Sequence, residues 1–483
     1  MITYQDYLEI GQGDKDRMDF VRAVIKDHKN SAEYKMAKVA EAYYEHQNLT
    51  IMEYQKLLYT MTGQAVPDNF SANYKLRTNL FNYLVTQENQ YILGNGTSWG
   101  KKDTKDKLGT NRIKFDSQLM KAGEMALVQG QSFGFFNLDH LDVFGLLDFA
   151  PLYDEENGAL MVGVRFWQLS DNRPLRATFY EVDGYTDYAW GGDKDEQNNG
   201  YIVTPKRAYT YTITYSEADG EKIYNGENYP SFPIIPMFAN SFHRSEFDGM
   251  REWIDCYDLI MSGFANTIDE ASYLYWSIQN AAGMDDVDLS KFLDHMRTVH
   301  AAVVESEGAT AESHTIEAPY NGRKELLNTL RSLIFDNFMA LDVKAIASGA
   351  ITATQIEASY EPMNGKANKY EDRIREFVYA ILDLVGIDDE PTWTRSRIIN
   401  RSEEITSVLQ AAQAVTPEYV TRKILTIFGD GDLADDMLAQ MDTDEIESYR
   451  TRVEQLEDQV AAAQSVNNQE QTQGQPEEQT EEV

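Results

Sequence analysis

Residues 247–270 read FDGMREWIDCYDLIMSGFANTIDE. Met250, Trp253, Ile254, Tyr257, Ile260, Met261, Phe264 and Ile268 step by three and four, the spacing of one continuous apolar stripe along a helix. The helical reading runs on through ASYLYWSIQN to residue 280. Residues 281–318 then form a compact insert. It holds a short helix at DLSKFLDHM and a small hairpin of TVHAAVVES with TAESHTIEA across Glu307-Gly308. A second long helix spans Arg323 to about Ala347, with Leu326, Leu330, Leu333, Ile334, Phe338 and Leu341 as its face. The small-residue stretch SGAITATQ (348–355) interrupts it, and a third helix covers about Gly365–Leu384. Pro391 begins an extended stretch, and helical patterning returns around residues 402–440.

N-terminal to this array the texture differs. Residues 1–60 read as helical, a loop with Pro67 and Asn69 follows, and NYKLRTNLFNYLVTQENQYILG reads as a helix with Leu76, Leu80, Tyr83, Leu84, Gln87 and Tyr91 on one face. Gly94 or Gly96 supplies its stop. Residues 97–112 carry Lys101, Lys102, Lys105, Lys107 and Arg112 and read as a solvated loop. From Phe133 to Phe238, runs rich in aromatic and β-branched residues read as the strands of a mixed or antiparallel sheet domain. Asp183-Gly184, Asp219-Gly220 and Asn225-Gly226 are hairpin-type dipeptides, and PSFPIIPMFAN closes the domain.

The whole chain has 483 residues, with 43 Lys+Arg against 79 Asp+Glu and a formal net charge of −36. A hydrophobic share of 42% excludes a fully disordered chain. Its one cysteine, Cys256, cannot close an intrachain disulfide. No run approaches the ~18 apolar residues of a membrane span, and MITYQDYLEIGQGDKDRMDF lacks the marks of a signal peptide, so a soluble chain outside the membrane is expected. The acidic balance argues against a tight electrostatic grip on nucleic acid, though not against a duplex sliding past. Residues 401–483 concentrate the charge, with five basic and nineteen acidic side chains. Ile446, Tyr449, Val453, Leu456 and Val460 alternate by three and four, a short amphipathic or coiled-coil helix. Residues 464–483 contain almost nothing apolar and are expected to be disordered.

A search for catalytic chemistry finds little. Gly130-Gln131-Ser132-Phe133-Gly134 fits the pattern of a nucleophile elbow, but helix precedes it and strand follows, the inverse of what an elbow needs. Gly94, Gly96 and Gly100 fail the dinucleotide spacing, and no phosphate-binding loop with its Gly-Lys-Ser/Thr ending occurs. Seven dispersed histidines and one cysteine offer no zinc-site spacing. Asp285/Asp286 and Asp388/Asp389 read as solvated loop charges. No catalytic residue, cofactor or metal is expected.

The order of elements, together with four local stretches, resembles the portal proteins of tailed bacteriophages. Those stretches are NYKLRTNLFNYLVTQENQYILGNG, PLYDEENGALMVGVRFW, PIIPMFANSFHRSEFDGMREWIDCYDLIMSGFANTIDE and SGAITATQIEASYEPMNGKANKYEDRIREFVYAILDLVG. Asp255, Tyr257, Asp258, Ser262 and Asn266 match the family pattern on the first long helix. Ser348-Gly349-Ala350, followed by Lys366 and Glu371, matches the pattern around its channel loop. The likeness covers roughly residues 70–400.

The resemblance implies an α+β portal fold. Residues 1–240 would be a mixed helix-and-sheet wing, 241–280 a first stem helix, 281–318 the clip and 319–347 a second stem helix. Residues 342–357 would hold the channel loop, with Ser348, Gly349, Ala350, Ile351, Thr352, Ala353, Thr354 and Gln355 facing DNA. Residues 358–400 would be a long helix returning to the wing, 401–463 the crown and 464–483 the acidic tail. It further implies a twelve-subunit ring at one capsid vertex, through which double-stranded DNA is packaged and ejected. The implied partners are the terminase large subunit, the major capsid and scaffolding proteins and the head–tail adaptor, in a virion assembled in the host cytoplasm. Two other classes fit the composition: another structural adaptor or capsid-associated protein, and an enzyme of unrecognised type.

Overall fold

The computed structural model describes residues 2–11, 13–59, 63–69, 71–101, 103–192, 195, 199–215, 222–271, 275–279, 290, 310–314, 320–347, 353–396, 408–410, 412, 415–428, 431–434 and 437–438. Met1–Ser396 form one compact unit and Arg397–Val483 a second.

The first unit opens with helices α1 (Tyr4–Leu8), α2 (Asp14–Asn30), α3 (Ala32–Tyr44) and α4 (Leu49–Glu53). Ser31 separates α2 from α3, and its hydroxyl accepts the Tyr34 N–H at 3.1 Å, a side-chain N-cap. Where helix and loop were expected, β1 (Leu57–Tyr59) and β2 (Ala65–Pro67) pair as a short antiparallel hairpin. The next helix, α5 (Leu80–Leu93), starts seven residues later than the sequence reading placed it; residues 73–79 are not helical. After α5 come β3 (Thr97–Ser98), α6 (Thr104–Leu108) and α7 (Phe115–Gln129).

Gly130 ends α7 with a φ of 91°, and a Cβ there would meet the backbone of His243 and Ser245 at 3.0 Å. The chain then enters β4 (Gln131–Asn137) and β5 (His140–Gly145). β6 (Phe149–Tyr153), β7 (Leu160–Trp167), β8 (Leu175–Glu181), β9 (Gly184–Trp190) and β10 (Tyr201–Arg207) form an antiparallel meander. β11 (Thr210–Tyr215) pairs with β12 (Lys222–Glu227), while β13 (Ile234–Phe238) joins β4 and β5 in the order β13-β4-β5. Pro236 sits on β13, an edge strand, where proline is tolerated. Of the three hairpin dipeptides, Asp183-Gly184 does lie at a tight connection, between β8 and β9. Asn225-Gly226 does not: both residues pair inside β12, with Thr212 and Tyr211. Asp219-Gly220 lies outside the described residues.

Helix α8 covers Arg251–Ala271. It stops short of residue 280, because Tyr275–Gln279 form β14 and pair antiparallel with β15 (Thr310–His314). Most of the expected insert (281–318) lies outside the described residues, and so does the TVHAAVVES arm of its hairpin. The expected helix over 323–347 divides into α9 (Tyr320–Phe338) and α10 (Val343–Ala347). Between them Met339 takes a φ of 60°, its N–H bonding the Asp336 carbonyl while the Ala340 N–H bonds Phe335, a left-handed helix stop made without glycine. Next come α11 (Ala353–Ser359), α12 (Glu361–Val385) and β16 (Thr392–Trp393), which pairs with β3. Pro362 opens α12 and left-handed Gly386 (φ 73°) closes it.

The largest core joins α5, α7, α9, α12 and the start of α8 through Leu84, Ile92, Leu119, Ile254, Ile334 and Phe377. Each such side chain contributes about 1.5–3 kcal/mol by leaving water. A second core packs Val21, Val24 and Ile25 of α2 on the meander, and a third gathers aromatic residues such as Phe133, Phe149 and Tyr180. In the second unit, α13 (Pro417–Phe428) is followed by a 3-10 turn at Gly431–Leu433. Residues 439–483, with the expected Ile446–Val460 helix and acidic tail, lie outside the described residues.

Candidate functional site

The polar residues singled out on the first long helix come together. Asp258, Ser262 and Asn266 stand four residues apart on α8 and are all buried. The N–H groups of Thr78, Leu76 and Tyr74 donate to them in turn: Thr78 to Asp258 Oδ1 at 3.2 Å, Leu76 to Ser262 Oγ at 3.0 Å, and Tyr74 to Asn266 Oδ1 at 2.7 Å. Four helical residues rise about 6 Å and two extended residues about 6.6 Å, so the rungs stay in step. This explains why residues 74–78 are not helical despite their helical spacing: their N–H donors at 74, 76 and 78 are committed to α8. Asp258 Oδ2 accepts a further bond from Asn48 Nδ2 at 2.8 Å, and Asp255 accepts from Tyr43 Oη at 2.6 Å and Thr50 Oγ1 at 2.8 Å. Tyr257 departs from the set and packs against the main core. The apolar stripe of α8 is core only near its start. Met250 and Ile254 are buried, whereas Ile268 is 47% exposed.

A second constellation surrounds residues 342–357. The side-chain amide of Gln87 donates to the Leu341 carbonyl at 2.9 Å and accepts the Leu341 N–H at 3.0 Å. One turn later on α5, Tyr91 stacks on Tyr360 with centroids 5.9 Å apart, and its hydroxyl donates to Asn364 Oδ1 at 2.6 Å. Thus the segment leaves and returns at neighbouring points of one helix. Asp342 is ion-paired with Arg331 at 3.2 Å. Ser348, Gly349, Ala350, Ile351 and Thr352 lie outside the described residues. Ala353, Thr354 and Gln355 open α11 rather than a loop, and Gln355 is exposed.

Lys366 forms a buried centre beneath the same segment. Its Nζ stands 2.8 Å from Glu88 Oε2 and 2.8 Å from Glu246 Oε2, donates to the Phe338 carbonyl at 3.2 Å and sits 3.4 Å from the centre of the Phe338 ring. Burial works against the charge of Lys366, but the two carboxylates outweigh it and raise its affinity for the proton. Glu88 is pushed up to about 7, chiefly by burial; Lys366 pulls it back and Glu246 adds to the rise. Glu371, on the same helix, pairs with Arg395 and with Arg375, each at 2.9 Å. Sequence reasoning placed Gln87 on a helix face without giving it a role, and missed Glu88 and Glu246. Gln87 and Glu88 are polar side chains set into the apolar stretch of α5, whereas Glu246 lies in the turn before α8 and gave no such signal.

The remaining motifs resolve as structure. Ser132 is fully buried on β4 and donates to the Ala122 carbonyl at 2.7 Å, within the helix–turn–strand connection expected there. Asp389 is an anchor and not merely a solvated charge. It accepts the N–H groups of Gly100 at 3.0 Å and Lys101 at 3.1 Å and the Thr104 hydroxyl at 2.5 Å, fastening the basic run to the chain after α12. Among the described residues no cluster of three or more His, Cys, Asp or Glu side chains could hold a metal ion, and no helix is long and apolar enough to cross a membrane.

The chain is similar to several known proteins. The portal protein of Clostridium phage phiCD119 is 24% identical over 242 residues, 45% of this chain and 53% of that protein. The chain therefore spans about half the length of the curated relative it matches. Similar solved structures include the virion of a native gene transfer agent particle, at 10% identity and a TM-score of 0.41, covering 72% of this chain and 88% of that one. Another is the crystal structure of an HK97 family phage portal protein from Corynebacterium diphtheriae, at 10% identity and a TM-score of 0.31, covering 65% and 89%. The family model for phage portal proteins of the SPP1 Gp6-like type matches residues 24–447, a span that contains the α8 ladder, both anchors on α5 and the Lys366 centre, and the chain belongs to that family.

Proposed function

We propose that this chain is the subunit of a portal ring at one capsid vertex, through which double-stranded DNA enters and leaves the particle. The role is structural: the ring would offer a docking platform to the terminase motor and later to the head–tail adaptor, and would contact capsid and scaffolding proteins. Family membership across residues 24–447 carries this reading. Exposed apolar residues on both long helices support it, since Leu259, Ile268, Leu326 and Leu333 remain between 38% and 47% exposed in the single chain. A head-to-tail ring needs two different complementary faces per subunit, and such residues suit one of them.

On this reading residues 1–240 are the wing, α8 and α9 the stem, 281–318 the clip, 401–463 the crown and 464–483 an acidic tail. The channel segment is 342–357, where Ser348 to Gln355 would meet the duplex. Small and hydroxyl side chains there can exchange hydrogen bonds with phosphates without holding them by charge. The α8 ladder would set the stem helix against the wing, and Gln87 and Tyr91 would hold the channel segment by its two ends. Mass photometry of the purified chain tests the assembly. A species of about twelve 55.1 kDa chains supports the reading, and 55.1 kDa particles alone at every concentration would oppose it.

A further inference from the structure

A cleft of about 240 Å³ opens between the middle of α8, the segment of residues 73–75 and the start of α9. In a chain with 79 acidic side chains, none of the twelve described residues that line this cleft is acidic, and three of them, Lys56, Lys75 and Arg323, are cationic. Arg323 uses one nitrogen to reach the Gly263 carbonyl at 3.0 Å and Thr267 Oγ1 at 2.5 Å, and Lys75 donates to the Met52 carbonyl. Among the described residues no carboxylate pairs with either of them.

Two further features mark the cleft. Gly263 lies in the middle of α8, where glycine weakens a helix, and yet a Cβ at this position would meet no atom within 4 Å. Among the described residues no packing requires the glycine. Asn73 turns its Oδ1 inward, buried and without a hydrogen-bond partner. Tyr54, Tyr74 and Leu259 stand exposed around the opening, giving a cationic centre an apolar rim.

We infer that this cleft is a docking site for a second copy of the same chain, which places an Asp or Glu side chain between Lys75 and Arg323 and covers Gly263 closely. Charge complementarity selects that occupant. A chain with 79 acidic against 43 basic side chains has carboxylates in excess, and a local cationic hollow is where a second copy can present one without repulsion. The inference rests on the ring reading and names one of the two faces such a ring needs.

Zero-length carbodiimide cross-linking of rings built from mixed light and ¹⁵N-labelled full-length chains tests it. Peptides joining Lys75 or Lys56 to an acidic residue of opposite label are expected. A second measurement uses Gly263→Leu, which should leave the melting temperature of the unassembled chain unchanged or higher while weakening assembly about tenfold or more. Rings that form normally in Gly263→Leu and give only same-label links at Lys56 and Lys75 would overturn the docking site and leave the portal reading standing. A wild-type chain that makes no ring would overturn both.

Discussion

Gln87 holds the backbone of Leu341 by two hydrogen bonds, at 2.9 and 3.0 Å, across 254 positions of sequence. A side-chain amide that both donates to and accepts from one residue fixes that residue in place, and here it fixes the point where the 342–357 segment departs. Replacing Gln87 with alanine should cost about 1–3 kcal/mol, because the Leu341 groups lose their partner. Hydrogen exchange at residues 340–347 should quicken while exchange in the meander stays the same. Equal protection in both places would mean that the clasp anchors nothing.

The α8 ladder makes a sharper demand. Asp258→Ala strips the acceptor from the Thr78 N–H and from the Asn48 amide, both partly or wholly buried, and should destabilise the chain by about 2–3 kcal/mol. Asp258→Asn keeps one oxygen for Thr78 and should lose less. Urea denaturation of the two variants orders them, and equal losses would contradict the rungs as drawn.

Glu88 adds a pH dependence whose sign can be worked out. Its folded value near 7 lies above the ordinary 4.5, so between those values the folded chain binds more protons than the unfolded one. Stability should therefore fall as pH rises from about 4.5 to about 7 and flatten above that. Glu88→Gln should remove this slope, which thermal melts at half-unit pH steps would register. Lys366→Met should cost about 3–5 kcal/mol at pH 8, since it leaves Glu88 and Glu246 buried together without their cation.

Lysine at both Thr352 and Thr354 tests the proposed channel segment. Twelve copies would set cationic rings along the path of the duplex and add phosphate contacts that must break with each step. Ring assembly should proceed, and packaged DNA per particle should fall severalfold in a packaging assay. Normal packaging, or collapse of the ring, would place these residues elsewhere.

Much of this was legible in the sequence, and the failures share a cause. Periodicity located α5, α8, α9 and α12, and β-branched and aromatic runs located the sheets, because in those segments local preference and burial agree. Residues 74–78 misled because Leu76 and Leu80 stand four apart, yet the donors of this stretch belong to α8, nearly two hundred residues away. Met339 gave no warning of a helix stop, since the left-handed turn there is made by a residue that rarely adopts it. Asn225-Gly226 carried the composition of a turn but was drawn into β12 by pairing with β11. Within the site, Asp255, Tyr257, Asp258, Ser262 and Asn266 were picked out as a set through the family resemblance, as was Lys366 with Glu371, whereas Glu88 and Glu246 share no linear spacing with Lys366 and meet it only in the fold.

Negative-stain electron microscopy shows whether the purified chain closes into rings. Rings with an axial hole wide enough for a duplex are expected, and end-on class averages of rings released from particles should show twelve-fold repetition. Fields of separate monomers, or closed particles without an axial opening, would contradict the ring reading.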